Sequence, residues 1–352
     1  MLARLLQRLR IMTTIGRLSR LTGNWIPAAL ARPFGAPTAV FFHGVEQRIS
    51  DPGLQVNQHR LDAFEDVARL LKRDFDVLPL HAMADVLKRP EKHSRALFLM
   101  SDDGYANTLT TAAPILKAYG LPWTLFISTH HIDTGEFTPP TLTRIFFLEA
   151  PKGAHDLPHF DAPIFLRSRE QREAEAMEAW KYLKNMPFPH ALRVLDFMKA
   201  VLAKTGIDIN SKYASENFLT WDQVRALDRA GVEIGAHADS HWAMHQDQPQ
   251  DFLREQALRP KQRIEKEIGA CRFFAYPFGQ RDDIGRGAWE AVRDAGYQHA
   301  FTTIAGTLNA SANPWLLPRY GLAAEESNLA AFLPVLRANN SRLRVWQSQI
   351  GT

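Results

Sequence analysis

Two pairs of residues in this chain have the type and spacing to do chemistry. Asp102 and Asp103 stand side by side, closed by Gly104, directly after the apolar run Leu97-Phe98-Leu99-Met100. Adjacent carboxylates repel, so a pair at the end of a strand is expected to be kept compatible by a cation or a proton. The alternative is an Asp-Asp-Gly turn whose side chains cap the next helix. His237 and His241 follow the short apolar stretch Val232 to Ala236, where one turn of chain would aim both imidazoles the same way. Two neutral imidazoles and a carboxylate suit a divalent transition metal with positions left open for water and substrate. Any helix can carry HxxxH by chance. What adds weight is the company: the Asp pair at one strand end and the turn Tyr276-Pro277-Phe278-Gly279 at another. His43 closes a third apolar stretch, Thr38 to Phe42, and is a candidate for the same rim.

The elements that must position these residues alternate between strand and helix. Strands are expected at Thr38–Phe42, Val77–Leu80, Leu97–Met100, Trp123–Ser128, Val232–Ala236, Cys271–Ala275, His299–Thr303 and Trp315–Tyr320. Amphipathic helices are expected at Leu61–Phe75, Thr220–Ala230 (Thr220 as its cap), Asp251–Ile268, Ile284–Ala295 and Ser327–Ala338. Asn107–Tyr119 reads as a helix with Pro114 as an irregularity. Short apolar strands alternating with helices indicate a parallel α/β architecture, barrel-like, with ligands at the carboxyl ends of the strands. The rhythm breaks over about 130–217, where Gln171–Leu183 and Ala191–Thr205 read as helices without flanking strands. This stretch is expected to be a helical insertion that shapes the substrate cleft. His130, His131, His155, His159 and His190 fall in or near it and are read as surface residues.

The chain has 352 residues, 45% of them apolar and 23% charged, with a net charge of +4. That composition is globular and leaves little room for disorder. The positive charge gathers at one end: residues 1–20 carry Arg4, Arg8, Arg10, Arg17 and Arg20 and no acid. Without interleaved basic and aromatic residues, nucleic-acid binding is not expected. Leu2, Leu5, Leu6, Leu9 and Met12 share one helical face with arginines off it, so this stretch could touch a membrane surface or pack on the body of the protein. Three parts follow: a basic segment and linker over 1–37, the α/β body over 38–338, and a tail over 339–352. One cysteine, Cys271, excludes an intrachain disulfide. With no export signal recognised, the expected location is cytoplasmic, at the membrane surface if the N-terminal face is used.

In this order, the motifs resemble those of the polysaccharide deacetylase superfamily. The first is the apolar strand ending in Asp102-Asp103-Gly104, with Ser101 where phenylalanine is commoner. The second is His237-Ala238-Asp239-Ser240-His241, with Ala238 replacing a hydroxyl residue. The third is Ala275-Tyr276-Pro277-Phe278-Gly279, with Ala275 replacing an arginine. The resemblance implies a distorted (β/α) barrel in which Asp103, His237 and His241 bind a divalent metal, Zn²⁺ first, with Co²⁺, Ni²⁺ or Mn²⁺ as alternatives. It implies Asp102 as general base and the Phe278 backbone N–H as oxyanion donor. Arg319 is the candidate to replace the arginine missing at 275. Phe42-His43-Gly44-Val45 is similar to the early motif of the branch acting on poly-N-acetylglucosamine, which makes His43 the candidate general acid, with His299 in reserve.

The function implied is metal-dependent removal of an N-acetyl group from an N-acetylated sugar: a glycan, a lipid-linked sugar or a nucleotide-sugar precursor. Hydrolysis of a small cyclic amide or ureide on the same site is the nearest alternative. A glycan-binding protein that kept the fold without catalysis is favoured by Ala275 and opposed by the complete set of acids and imidazoles. The pair His237 and Asp239 with a distant histidine could also form an iron-oxygenase triad, but such triads sit on jelly-roll sheets.

Overall fold

The structure is a computed structural model that describes residues 36–322 and 343–350. The basic stretch 1–20 and the helix expected at Ser327–Ala338 lie outside the described residues.

The first half of the body contains β1 (Thr38–Phe42), β2 (Val45–Glu46), β3 (His59–Arg60), β4 (Asp76–Val77), β5 (Ala96–Ser101) and β6 (Thr124–Ile127). After them come β7 (Gly153–His155), β8 (Ile164–Leu166), β9 (Glu233–Ala236), β10 (Phe273–Ala275), β11 (His299–Phe301) and β12 (Tyr320–Gly321). Every residue of β1 and β5 is buried, as continuous apolar strands covered on both faces must be. One sheet runs in the order β11-β10-β9-β6-β5-β1-β12, with β4 beside the start of β5, and all its pairings are parallel. The segment leading to β12 joins its ends. Leu317 bridges to Phe301, and three residues later Tyr320 pairs with Val40. The parallel strands therefore curl into the distorted barrel, and their carboxyl ends share one rim.

Alternation along the strands divides the apolar residues between two faces. Phe41, Phe98, Met100, Phe126, Phe273, Phe301 and Leu317 cluster together on one of them. Val40, Phe42, Leu97, Leu99, Leu125 and Ile127 turn the other way, into a larger core shared with the helices. Leu142, Phe146, Leu183, Val194 and Met198 of the insertion belong to that same larger core, so the insertion is fused to the barrel. It holds the helices Pro139–Glu149, Arg169–Lys184 and Phe188–Ala203, together with an antiparallel hairpin of β7 and β8 that was not expected. Buried Arg172 ties two of the helices by donating to the carbonyls of Phe147 (3.0 Å) and Ala150 (2.8 Å) at a helix end.

Thr220 caps its helix in a reciprocal box with Gln223, as expected. The irregularity at Pro114 resolves into a π-helical turn, Thr108–Ala112, followed by the α-helix Ala113–Ala118. Pro114 then sits in a first turn, where its missing N–H costs little. Residues 343–350 form a helix with Leu343 and Trp346 buried.

Candidate metal and acid–base site

Strand geometry delivers the chemical residues to one rim. His43 follows β1, Asp102 and Asp103 follow β5, His237 follows β9, and the Tyr276–Gly279 turn follows β10. Asp103, His237 and His241 offer ligand atoms that all lie within 4.8 Å of one another, and all three residues are buried. Both imidazole Nε2 atoms face the same carboxylate oxygen, Asp103 Oδ1, at 3.3 Å from His237 and 3.0 Å from His241. That oxygen lacks an aligned hydrogen-bond donor. A buried carboxylate oxygen left so, with two ring nitrogens converging on it, is what a divalent cation would satisfy.

His237 Nδ1 donates to the Ala275 carbonyl at 2.8 Å, which fixes the tautomer and leaves Nε2 with a free lone pair. Position 275 thus serves the site through its main chain. His237 and His241 sit on an irregular bend, not a helical turn. Ser128 Oγ donates to the His237 carbonyl (2.6 Å), and Thr129 Oγ1 donates to Asp239 (2.7 Å).

Backbone strain concentrates here. Asp103 (φ 75°), Ala238 (φ 57°), His241 (φ 50°) and Phe278 (φ 59°) all occupy the left-handed region that non-glycine residues avoid. At Phe278 the cause is a γ-turn closed by the Gly279 N–H donating to the Pro277 carbonyl at 2.6 Å. Thr303 Oγ1 donates to the Phe278 carbonyl, while the Phe278 N–H has no partner among the described residues. The Phe278 ring lies edge-on to His241, with centroids 5.0 Å apart.

Asp102 is held apart from the imidazoles by a partner of its own. Arg319 donates Nη1 and Nη2 to its two carboxylate oxygens, both at 2.8 Å, and Nε to the Thr302 carbonyl at 3.0 Å. Its guanidinium carbon lies 4.3 Å from the Phe41 ring centroid and 5.7 Å from that of Phe126. The arginine is therefore inside the barrel, fully buried, beneath the rim. Burial would raise the Asp102 pKa, but the Arg319 contact together with the His237 and His43 charges reverses this and keeps the carboxyl below its ordinary value. Burial likewise opposes ionisation of Asp103, and the His241 and His237 contacts reverse it, leaving Asp103 well below the carboxylate range. For His237, burial lowers and the Asp102 charge raises, with a net rise.

His43 enters the same field. Its removal from water pushes its pKa down, while Asp103 and Asp102 pull it up, and burial wins. Its backbone is tied to the Asp pair: Ser101 Oγ donates to the His43 carbonyl at 2.7 Å. His299 starts β11, at the end of the strand opposite the rim, stacked at 6.1 Å on Phe273 and remote from this constellation. His131, expected at the surface, is instead buried against Phe218, with ring centroids 5.2 Å apart.

Sequence reasoning missed three neighbours. Tyr105, stacked on Phe218 at 5.4 Å, is buried with its phenol pushed up by burial and by the Asp103 charge. From the insertion, Trp180 packs on Phe278 (5.4 Å) and Lys184 lies over the same ring (5.3 Å). Their spacing of four residues on a helix was the available signal.

The family model described as "Polysaccharide deacetylase" matches residues 89–300. Among solved structures, the deacetylase PplD of Streptococcus pyogenes, in complex with acetate, is similar at 15% identity and a TM-score of 0.54, covering 84% of this chain and 96% of that one. A de-N-acetylase from Aggregatibacter actinomycetemcomitans shares 18% identity at a TM-score of 0.51, over 83% of this chain and 96% of that one. IcaB from Ammonifex degensii shares 13% at 0.52, over 85% and 97%. No curated protein sequence matches the chain.

Proposed function

Because this chain belongs to the polysaccharide deacetylase family, we propose that it is a metal-dependent hydrolase removing the N-acetyl group from an N-acetylhexosamine unit of a glycan. The observation that carries the reading is the convergence of Asp103, His237 and His241 beside a second acid, Asp102, that is separately neutralised by Arg319. A binding module has no use for four buried polar groups that cost desolvation and strain. The donor set, one carboxylate and two imidazoles, fits Zn²⁺ with positions left open.

Asp103, His237 and His241 would hold the metal, which supplies Lewis-acid polarisation of the amide carbonyl and acidification of water. Asp102, kept ionised by Arg319, accepts a proton from the attacking water. The unpartnered Phe278 N–H donates to the carbonyl oxygen as it gains charge. His43 delivers a proton to the amine nitrogen as the C–N bond breaks, releasing acetate and the free amino sugar. Trp180 and Lys184 line one wall and exclude water from the Phe278 side.

Poly-N-acetylglucosamine is the favoured substrate, on the Phe42-His43-Gly44-Val45 motif and on the likeness to de-N-acetylases. The test is acetate release from N-acetylglucosamine oligomers, from a lipid-linked and from a nucleotide-linked N-acetyl sugar, with and without chelator. Turnover that chelator leaves untouched would overturn the mechanism. Activity on none of the three but on a cyclic ureide would overturn the substrate class.

A further inference from the structure

Asn107, Gln58, Glu46 and Glu216 form a polar cluster beside the site that no step above uses. Asn107 and Gln58 are 7% and 5% exposed, and Glu216 is 1% exposed. Asn107 Nδ2 donates to Glu46 Oε1 and to Gln58 Oε1, both at 2.7 Å, and its Oδ1 accepts from the Val45 N–H at 3.4 Å. Gln58 Nε2 donates in turn to Glu216 Oε1 (2.9 Å) and to the Ser215 carbonyl (3.2 Å). Each amide uses both donor hydrogens and its acceptor, so neither can flip without breaking several bonds.

The cluster presses on the residue after His43. A Cβ at Gly44 would lie 2.6 Å from Asn107 Oδ1 and 2.9 Å from Gln58 Oε1, so any side chain there would have to displace the two bonded amides. The Gly44 carbonyl is taken by the His59 N–H (2.9 Å). On the other side, Ser101 Oγ holds the His43 carbonyl, and the Asp102 N–H donates to the Phe42 carbonyl (3.0 Å). The far end of the cluster reaches the chain that pairs with the Asp turn: Ala106 N–H donates to the Asn217 carbonyl (2.8 Å) and Leu219 N–H to the Gly104 carbonyl (2.9 Å). The turn carrying His43 and the turn carrying Asp102 and Asp103 are thus clamped to each other. Burial, with the Asp103 charge behind it, pushes Glu216 up to about 8, so at neutral pH Glu216 itself adds little further negative charge beside Asp102 and Asp103.

We propose that Asn107, braced by Gln58, and Ser101 are positioning residues for His43, holding its imidazole at the distance from Asp102 and Asp103 that proton delivery to the leaving amine requires. The inference rests on the reading of His43 as the acid. A misplacement of about 1 Å costs on the order of 10²-fold in rate, so small changes in the clamp should be visible.

The experiment is a double-mutant cycle on amide turnover with Asn107→Ala, His43→Ala and both together, with KM and bound metal measured for each. Asn107→Ala should lower kcat by roughly 10- to 100-fold with KM and metal content little changed. In the His43→Ala background it should cost almost nothing more. Ser101→Ala removes one bond and leaves the amides whole; it should show the same dependence on His43, and it keeps the test available if Asn107→Ala fails to fold. Equal losses in both backgrounds, or a wild-type kcat in folded Asn107→Ala and Ser101→Ala, would overturn the clamp while leaving His43 in its role. Wild-type turnover by His43→Ala would overturn the role itself.

Discussion

Arg319 meets Asp102 with both Nη atoms, each 2.8 Å from a different carboxylate oxygen, from inside the barrel. The two residues are 217 positions apart and both are buried. Pairing of Leu317 with Phe301 and of β12 with β1 brings them together, because it sets the Leu317-to-Gly321 segment into the barrel wall with the Arg319 side chain buried against Phe41 and Phe126. Arg319 sets a positive charge against Asp102, while position 275 carries alanine. Arg319→Lys should lose the two-pronged contact and lower kcat/KM on the order of 10²-fold. Arg319→Met leaves a buried carboxylate without its counter-charge and should cost ~3–5 kcal/mol of stability, read by denaturant unfolding. A lysine variant with wild-type kcat/KM would show that the two-pronged contact is not what keeps Asp102 competent.

The pH profile of kcat/KM follows from two shifts. In the proposed mechanism Asp102 must be ionised, and Arg319, His237 and His43 together overcome burial and place that ionisation below the ordinary carboxylate value. In the same mechanism His43 must carry a proton, and burial lowers its pKa below the ordinary histidine value of 6.5. Activity should therefore lie on the acid side of neutrality and fall with unit slope as pH rises past the His43 pKa. Initial rates over about pH 4 to 9 check this. The falling limb should vanish in His43→Gln; its persistence there would assign it to another group.

Stability should carry a separate signature from Glu216, whose pKa burial pushes up to about 8. Below pH 4.5 both folded and unfolded chains hold this proton. As pH rises from 4.5 toward 8 the unfolded chain loses it and the folded one keeps it, so folding stability falls across that window and levels off above it. Glu216→Gln keeps an acceptor for Gln58 and has no proton to lose. It should be more stable than wild type at pH 8, by roughly 3–5 kcal/mol at most, with the difference shrinking toward pH 4.5. Denaturant midpoints at several pH values decide the matter, and a difference independent of pH would contradict it.

Acid destabilisation has the opposite origin. Burial lowers His59 to about 4 and His131 to about 3. Between pH 6.5 and those values the unfolded chain takes up protons that the folded chain refuses, so stability declines as pH falls. His59→Phe or His131→Phe should flatten this decline, as read from melting temperature at about pH 5 and pH 7.

The wall formed by the insertion should act on binding more than on chemistry. Trp180 and Lys184 both touch the Phe278 ring, and neither touches the acids. Trp180→Ala should raise KM by about 2- to 10-fold, the worth of an aromatic contact, with a smaller effect on kcat. Michaelis–Menten analysis on oligomers of increasing length separates the two.

Much of this arrangement was legible from local patterns. Leu97 to Gly104 announced a buried strand ending in acids, and β9 and β10 announced the rim positions of His237 and Phe278, because strand burial and strand ends leave short-range marks. The HxxxH bend was legible in spacing but not in shape: positive φ at Ala238 and His241 makes it an irregular turn. The hairpin of β7 and β8 was missed, since two three-residue strands leave almost no periodicity. The Asn107 cluster was illegible for another reason. Its contacts join residues 49 and 158 positions apart, and nothing local in Gln58 or Glu216 foretells a partner so distant.

The central claim is that Asp103, His237 and His241 grip a metal ion, and metal stoichiometry measured on purified protein tests it most directly. Wild type should carry a single equivalent of a divalent transition metal, while Asp103→Asn, His237→Ala and His241→Ala, confirmed as folded by circular dichroism, should carry almost none and release no acetate. Equal metal content in wild type and all three variants, or full acetate release by a metal-free wild type, would contradict the account.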